Sequence, residues 1–255
     1  MNESITPSLI CSDLCNLEAS VKALEETGCQ MLHVDILDGY FSPSMPLGLD
    51  TVRQLRKKTS LAFDAHVMAV DNAFFMEELA DIGVHRMCFQ VETERHISHK
   101  LTWLREKGIK AGVALAPATP VSVLEYVLEQ CDFAVFRRRL AGSRRRLRMD
   151  SRLSPLVRHV LLMMINPGYA SSAKESVRDS LKKKVGDLHA MIAERGLPTT
   201  ITIDGRTYLD AIPGYAAAGA STFVAGTSSL FRKNGLSLKE NYQALEQVVN
   251  KALGK

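Results

Sequence analysis

The 255-residue chain has no run of eighteen apolar residues, roughly the length a membrane-crossing helix needs. Its opening residues, Met1-Asn-Glu-Ser4, lack the basic-then-apolar pattern of a secretory leader. The five cysteines are odd in number and form no Cys-x-x-Cys pair. They read as reduced, small buried hydrophobes rather than a disulfide framework. These absences point to a globular protein of the cytoplasm, away from membranes, and an apolar content of 46% fits that class.

The chain also lacks a basic surface, despite a formal net charge of +4. Arg137, Arg138, Arg139, Arg144, Arg145, Arg146, Arg148, Arg152 and Arg158 fall in one segment whose only acid is Asp150, and the remainder is mildly acidic. Such a segment reads as a solvated excursion or as a grip on a polyanion or an acidic neighbour. No aromatic is interleaved with it beyond Phe136, which argues against stacking of single-stranded nucleic acid.

What the chain has in quantity is alternation. Short apolar strands near residues 5–10, 30–37, 61–67, 86–91, 110–115, 160–165, 199–203 and 222–225 are separated by amphipathic helical stretches. Several of those stretches stop at glycine, as at Gly28, Gly83, Gly108, Gly196 and Gly219. Strands too apolar to have a solvent face call for a parallel sheet covered by helices, and eight units predict a single-domain (β/α)8 TIM barrel. Cys131–Phe136 competes with His159–Ile165 for the sixth strand; the second is preferred because Asn166-Pro-Gly168 follows it. Residues 137–158 are then a basic insertion.

The polar residues on these strands stand out against that background. In His33-Val-Asp-Ile-Leu-Asp-Gly39 the period of two puts His33 and Asp35 on one face and Val34 and Ile36 on the other. With His66 and Asp204, two imidazoles and two carboxylates converge at the mouth of a barrel, where barrels carry their chemistry. Two nitrogen and two oxygen ligands suit one divalent ion, zinc, manganese, iron(II) or cobalt. Such an ion polarises a carbonyl and its neighbouring hydroxyl and stabilises an enediolate, while a carboxylate on each face moves a proton. That combination inverts a carbon next to a carbonyl. Gly226-Thr-Ser228 at the end of the eighth strand is where barrels bind phosphate through backbone N–H groups, and Asn166-Pro-Gly-Tyr169 adds a second turn.

Several motifs resemble the ribulose-phosphate 3-epimerase family, including its allulose-6-phosphate branch. They are Pro7-Ser-Leu9, His33-Val-Asp-Ile-Leu-Asp-Gly-Tyr-Phe41, Asp64-Ala-His-Val-Met68, Gly112-Val-Ala-Leu115, Pro117-Ala-Thr-Pro120, Asn166-Pro-Gly-Tyr169, Ile203-Asp-Gly205 and Gly226-Thr227, in family order from Ile5 to about Phe231. The resemblance implies that His33, Asp35, His66 and Asp204 hold a metal, with Asp35 as proton acceptor and Asp204 as donor, the roles exchanged in reverse. It implies that Ser8 and His66 touch the sugar and that Gly168, Tyr169, Ala170, Ser171, Gly205, Arg206, Gly226 and Thr227 surround its phosphate. Met68 and one of Met163 or Met164 would line the cavity. The implied partner is a sugar phosphate, with association into a homo-oligomer.

The chain departs from the family at four points. Loop 6 reads Gly168-Tyr-Ala-Ser-Ser-Ala173 where the family continues with more glycine, and Asp204-Gly-Arg206 replaces Asp-Gly-Gly. Gln90 stands where the family carries His, and Ala116 where it carries Asn. The expected activity is metal-dependent epimerisation at C3 of a ketose phosphate, ribulose 5-phosphate to xylulose 5-phosphate first and allulose 6-phosphate as its rival. A sugar-phosphate-binding barrel with impaired turnover, whose arginine segment serves a partner, is the alternative of a different class. A lysine-dependent decarboxylase or aldolase is disfavoured, since Lys110 begins its strand instead of ending it.

Overall fold

The computed structural model describes residues 3–128, 158–168 and 179–255. Eight parallel strands run in chain order: β1 Ile5–Pro7, β2 Met31–Leu37, β3 Ala62–Met68, β4 Arg86–Gln90, β5 Lys110–Leu115, β6 His159–Met163, β7 Thr200–Asp204 and β8 Thr222–Ala225. Each pairs with its sequence neighbour from β2 through β8, and β8 pairs with β1. The gap between β1 and β2 is bridged by a single parallel pairing, Ser8 with His33. The fold is a (β/α)8 barrel, and its ring closes at two of the residues singled out above.

Alternation along each strand sorts side chains into two compartments. Val34, Ile36, Phe63, Ala65, Val67, Val113, Val160, Leu162, Met164, Ile201, Ile203 and Phe223 pack outward against the helices in one continuous core. Burying each of the larger aliphatic side chains contributes about 1.5–3 kcal/mol. Inside the ring a small apolar cluster, Cys88, Ala114, Leu161, Met163, Ile165 and Val224, forms separately. Polar residues share that interior: His33, Asp35, Asp64, His66, Arg86, Gln90, His159 and Thr202 are all buried. The ring needs glycine at 112, where a Cβ would lie 2.3 Å from the His159 ring.

The helices follow their local signals. Asp71 caps Asn72–Ile82 by accepting from the Ala73 N–H, and Gly83 ends it in the left-handed conformation. Ser237 and Glu240 form a capping box at the head of Leu238–Leu253. The helix Ile212–Ala217 carries Pro213 in its first turn. Pro213 tolerates only the first turn, so the helix starts there and the preceding residues stay in a turn. The strand at His159–Met163 pairs with β5 and β7, as expected from Asn166-Pro-Gly168. Cys131–Phe136 and most of the arginine segment lie outside the described residues.

Candidate active site

β2, β3 and β7 place His33, Asp35, His66 and Asp204 so that one ligand atom from each lies within 4.8 Å of all the others. Asp35 Oδ1 is 3.2 Å from His33 Nε2 and 3.3 Å from His66 Nδ1, while Asp204 Oδ2 lies 3.9 and 3.7 Å from the same nitrogens. Ser8 Oγ donates to the other Asp35 oxygen at 2.9 Å, which leaves Oδ1 turned toward the imidazoles. The two histidines are fully buried, while Asp35 and Asp204 line the cavity described below.

Each imidazole is aimed by a partner on its far side. His33 Nδ1 donates to Asp64 Oδ2 at 2.9 Å, and Asp64 is clamped in turn by Arg86 through Nε at 2.6 Å and a second nitrogen at 2.7 Å. The Gln90 amide, turned so that its oxygen accepts from His66 Nε2 at 3.0 Å, donates to the Ala114 carbonyl and to Glu92. Both tautomers are thereby assigned by the hydrogen-bond network, with the lone pairs of His33 Nε2 and His66 Nδ1 facing the cluster. Those two atoms are among the buried polar atoms without a hydrogen bond, and the nearest oxygen to each is the acceptor Asp35 Oδ1. A buried acceptor without a donor is costly. A cation relieves it.

The electrostatics point the same way. Burial disfavours charge on Asp35, yet His33 and His66 outweigh it and hold the carboxyl well below its ordinary range. Burial opposes protonation of His33, but Asp35 and Asp64 raise its proton affinity well above normal. The cluster attracts positive charge, and its donor set fits a divalent metal ion.

Above it opens a cavity of about 650 Å³ lined by Ser8, Asp35 and Asp204. Its apolar wall includes Leu37, Met68, Met163 and Ile165. Met163 thus faces the cavity and Met164 the helices. Gly168, Gly205, Arg206, Gly226 and Thr227 line the far side. Tyr169, Ala170 and Ser171 lie outside the described residues. Gly168, at φ +80°, sits so close to loop 2 that a Cβ would meet Ser42 Oγ at 1.5 Å. Arg206 adopts φ +52°, alone among the described non-glycine residues, a conformation that costs about 1–2 kcal/mol. Burial first, then the Asp35 charge, push the Cys11 thiol on the cavity wall up to about 11, so it is no thiolate nucleophile at neutral pH.

The profile described as the ribulose-phosphate 3 epimerase family matches residues 4–137 and 146–231. The chain belongs to the ribulose-phosphate 3-epimerase family. It is therefore an isomerase by class. The family match breaks off only at 138–145, within the arginine-rich stretch. Ribulose-phosphate 3-epimerase of Treponema pallidum is 32% identical over 225 residues, covering 88% of this chain and 90% of that protein. The chloroplastic ribulose-5-phosphate-3-epimerase of Arabidopsis thaliana is 33% identical over 229 residues, 88% and 70% of the two chains. Solved barrels share the fold at low identity. They include 3-keto-L-gulonate-6-phosphate decarboxylase from Vibrio cholerae (TM-score 0.64, 11% identity, 98% and 99% covered). Another is 3-hexulose-6-phosphate synthase from Salmonella typhimurium (TM-score 0.63, 12%, 98% and 99%).

Sequence reasoning gave no role to Asp64 or Arg86 and noted Gln90 only as a departure from the family. Asp64 was within reach, since it shares a strand face with His66 two residues away. Arg86 needed the register of β3 with β4, which pairs it directly with Asp64.

Proposed function

We propose that this protein catalyses metal-dependent epimerisation at C3 of a ketose phosphate, with ribulose 5-phosphate and xylulose 5-phosphate as the first pair. The observation that carries the reading is the four-donor cluster on the cavity floor, with its two buried and unpartnered imidazole nitrogens. His33, Asp35, His66 and Asp204 would hold a divalent metal, which would supply a positive charge to the oxygens of the reacting ketose. Zinc, manganese, iron(II) and cobalt all suit that set.

The residues themselves do the rest. Asp35, with Ser8 fixing one of its oxygens, takes the proton from C3. Asp204 returns a proton to the opposite face, and the reverse reaction exchanges the roles. Ser8 and His66 meet the sugar, and Gly168, Tyr169, Ala170, Ser171, Gly205, Arg206, Gly226 and Thr227 surround the phosphate. We place the enzyme in the cytoplasm, possessed of a basic insertion at 137–158 and self-associating. Among the described residues no helix is long and apolar enough to cross a membrane.

Deuterium exchange at C3 of ribulose 5-phosphate and of allulose 6-phosphate in D2O, with metal-loaded and chelated protein, tests the reading. Metal-dependent exchange with one sugar, lost in Asp35→Asn and Asp204→Asn, supports it and selects the substrate. A folded, metal-loaded protein that exchanges neither sugar overturns it. That result would favour a binding barrel whose arginine segment engages a partner.

A further inference from the structure

The two imidazoles of the cluster are aimed by supports of different kinds. His33 leans on Asp64, and an ionised carboxylate can only accept. His66 leans on Gln90, a fully buried side chain that ends in one acceptor and one donor. An amide does not by itself decide which of its atoms faces His66 Nε2. With the oxygen there, the His66 proton sits on Nε2 and Nδ1 keeps its lone pair for the cluster. With the NH2 there, the proton is driven to Nδ1, where a metal would bind. Something beyond Gln90 must choose.

Two acceptors do so. The Ala114 carbonyl lies 3.3 Å from the Gln90 side-chain nitrogen, and Glu92 Oε2 lies 2.8 Å from it. The carboxylate is the closer and the charged acceptor, so most of the choice falls to it. Glu92 stands in the short turn Val91–Thr93 that follows β4. Its other oxygen, Oε1, accepts from the Ala116 N–H at 2.8 Å and from the Thr119 hydroxyl. The turn after β5 therefore pins one oxygen and leaves the second for the amide. Lys184, 7% exposed, steadies that turn by donating to the Ala116 and Pro117 carbonyls at 2.7 and 3.4 Å. Glu92 itself is exposed, and it neither lines the cavity nor belongs to the cluster.

We propose that Glu92 is a positioning residue of the metal site. It fixes the Gln90 amide, and through it the His66 tautomer, so that His66 Nδ1 is free to bind a divalent cation. This rests on the metal-dependent reading given above and extends it to a side chain outside both cluster and cavity.

Zinc affinity of the full chain, read by competition with a chromophoric chelator, separates this role from a structural one. In Glu92→Gln the new amide keeps its oxygen for the Ala116 and Thr119 donors and turns its NH2 toward Gln90. The Gln90 amide then reverses to accept that donor, and zinc should bind about 10-fold more weakly. Glu92→Ala removes the acceptor without supplying a donor, so the Ala114 carbonyl still orients the amide and the affinity should fall less. Melting temperatures should rank the two variants the other way, because alanine also gives up the Ala116 and Thr119 bonds. In a Gln90→Met background, Glu92→Gln should cost no further zinc affinity. Nitrogen NMR shifts of the metal-free protein at alkaline pH should place the His66 proton on Nε2 in wild type and on Nδ1 in Glu92→Gln. A zinc affinity of Glu92→Gln within about twofold of wild type overturns the proposal. So does an equal loss in the Gln90→Met background, a larger loss in Glu92→Ala, or a His66 proton that stays on Nε2. The two readings fail separately. Glu92-dependent zinc binding by a protein that exchanges C3 of neither sugar leaves this inference standing and removes the proposed reaction. Metal-dependent exchange with a zinc affinity indifferent to Glu92 does the reverse.

Discussion

Asp64→Asn separates the support of the site from the site itself. Asp64 is 1% exposed and lies between His33 and Arg86, with contacts of 2.9 Å to the imidazole and 2.6 and 2.7 Å to the guanidinium. Arg86 and His33 hold its carboxyl well below the usual carboxylate range, against the pull of burial. Asparagine keeps the shape and removes the charge. Arg86 is itself 2% exposed, and its next carboxylate, Glu3, is 3.6 Å away. Losing the charge-assisted bonds should lower stability by about 1.5–3 kcal/mol, short of the ~3–5 kcal/mol expected when one partner of a buried pair is deleted outright. The second effect falls on His33. An amide presents either its oxygen or its NH2 to Nδ1, so the tautomer with its lone pair at Nε2 is no longer imposed. Metal affinity should fall about 10- to 100-fold. Zinc competition against a chromophoric chelator reads the affinity, and urea unfolding followed by circular dichroism reads the stability. Zinc affinity within about twofold of wild type, in a variant that has lost the expected stability, would refute the argument that Asp64 aims His33.

Gly112→Ala should destabilise by at least about 2 kcal/mol, seen as a lowered urea midpoint, because the new methyl would fall 2.3 Å from an enclosed ring. Gly168→Ala should raise KM for the sugar phosphate with a smaller change in stability, since the loop must move off Ser42 Oγ and also leave a positive φ. His159→Gln should flatten the acid limb of the stability curve. Burial, and then the Arg86 charge, push the His159 pKa down to about 3 in the fold, whereas the unfolded chain binds that proton near pH 6.5. The unfolded state therefore takes the proton first as pH falls, and stability is present above about pH 6.5 and lost progressively toward pH 3. Between about pH 6.5 and 4.5 the loss from this group is on the order of 2–3 kcal/mol. Parallel urea titrations of wild type and variant at the two pH values isolate it, and equal losses would contradict the assignment.

The barrel was legible because strand period and helix stops are local properties. Val34 and Ile36 alternate with His33 and Asp35, and the structure puts the first pair against the helices and the second inside the ring. The cluster was legible for the same reason, each member being a polar residue on an apolar strand. The supports were not. Whether Asp64 meets His33 depends on the β2–β3 register, which pairs those two residues, and a slip of one residue would have turned Asp64 outward. Gln90 shows the limit from another side. The sequence marks it only as a departure from the family, and the fold places its amide against His66. The fit of His159 over Gly112 is a long-range packing event with no local signal.

The likeness to decarboxylase and synthase barrels, at 11% and 12% identity, shows the fold alone. His33, Asp64, Arg86 and Lys110 are successive partners across β2, β3, β4 and β5, a single row around the ring. Lys110 opens β5 and pairs with Glu3 ahead of β1, and that acid also faces Arg86. The ammonium is therefore engaged at the end of the barrel opposite the cavity. Among the described residues no lysine lines the cavity. What the strand ends do present is two carboxylates over two oriented imidazoles. Carboxylates so placed are suited to general acid–base work. The charged row pairs Asp64 with Arg86 and Lys110 with Glu3, so that these charges stand as ion pairs.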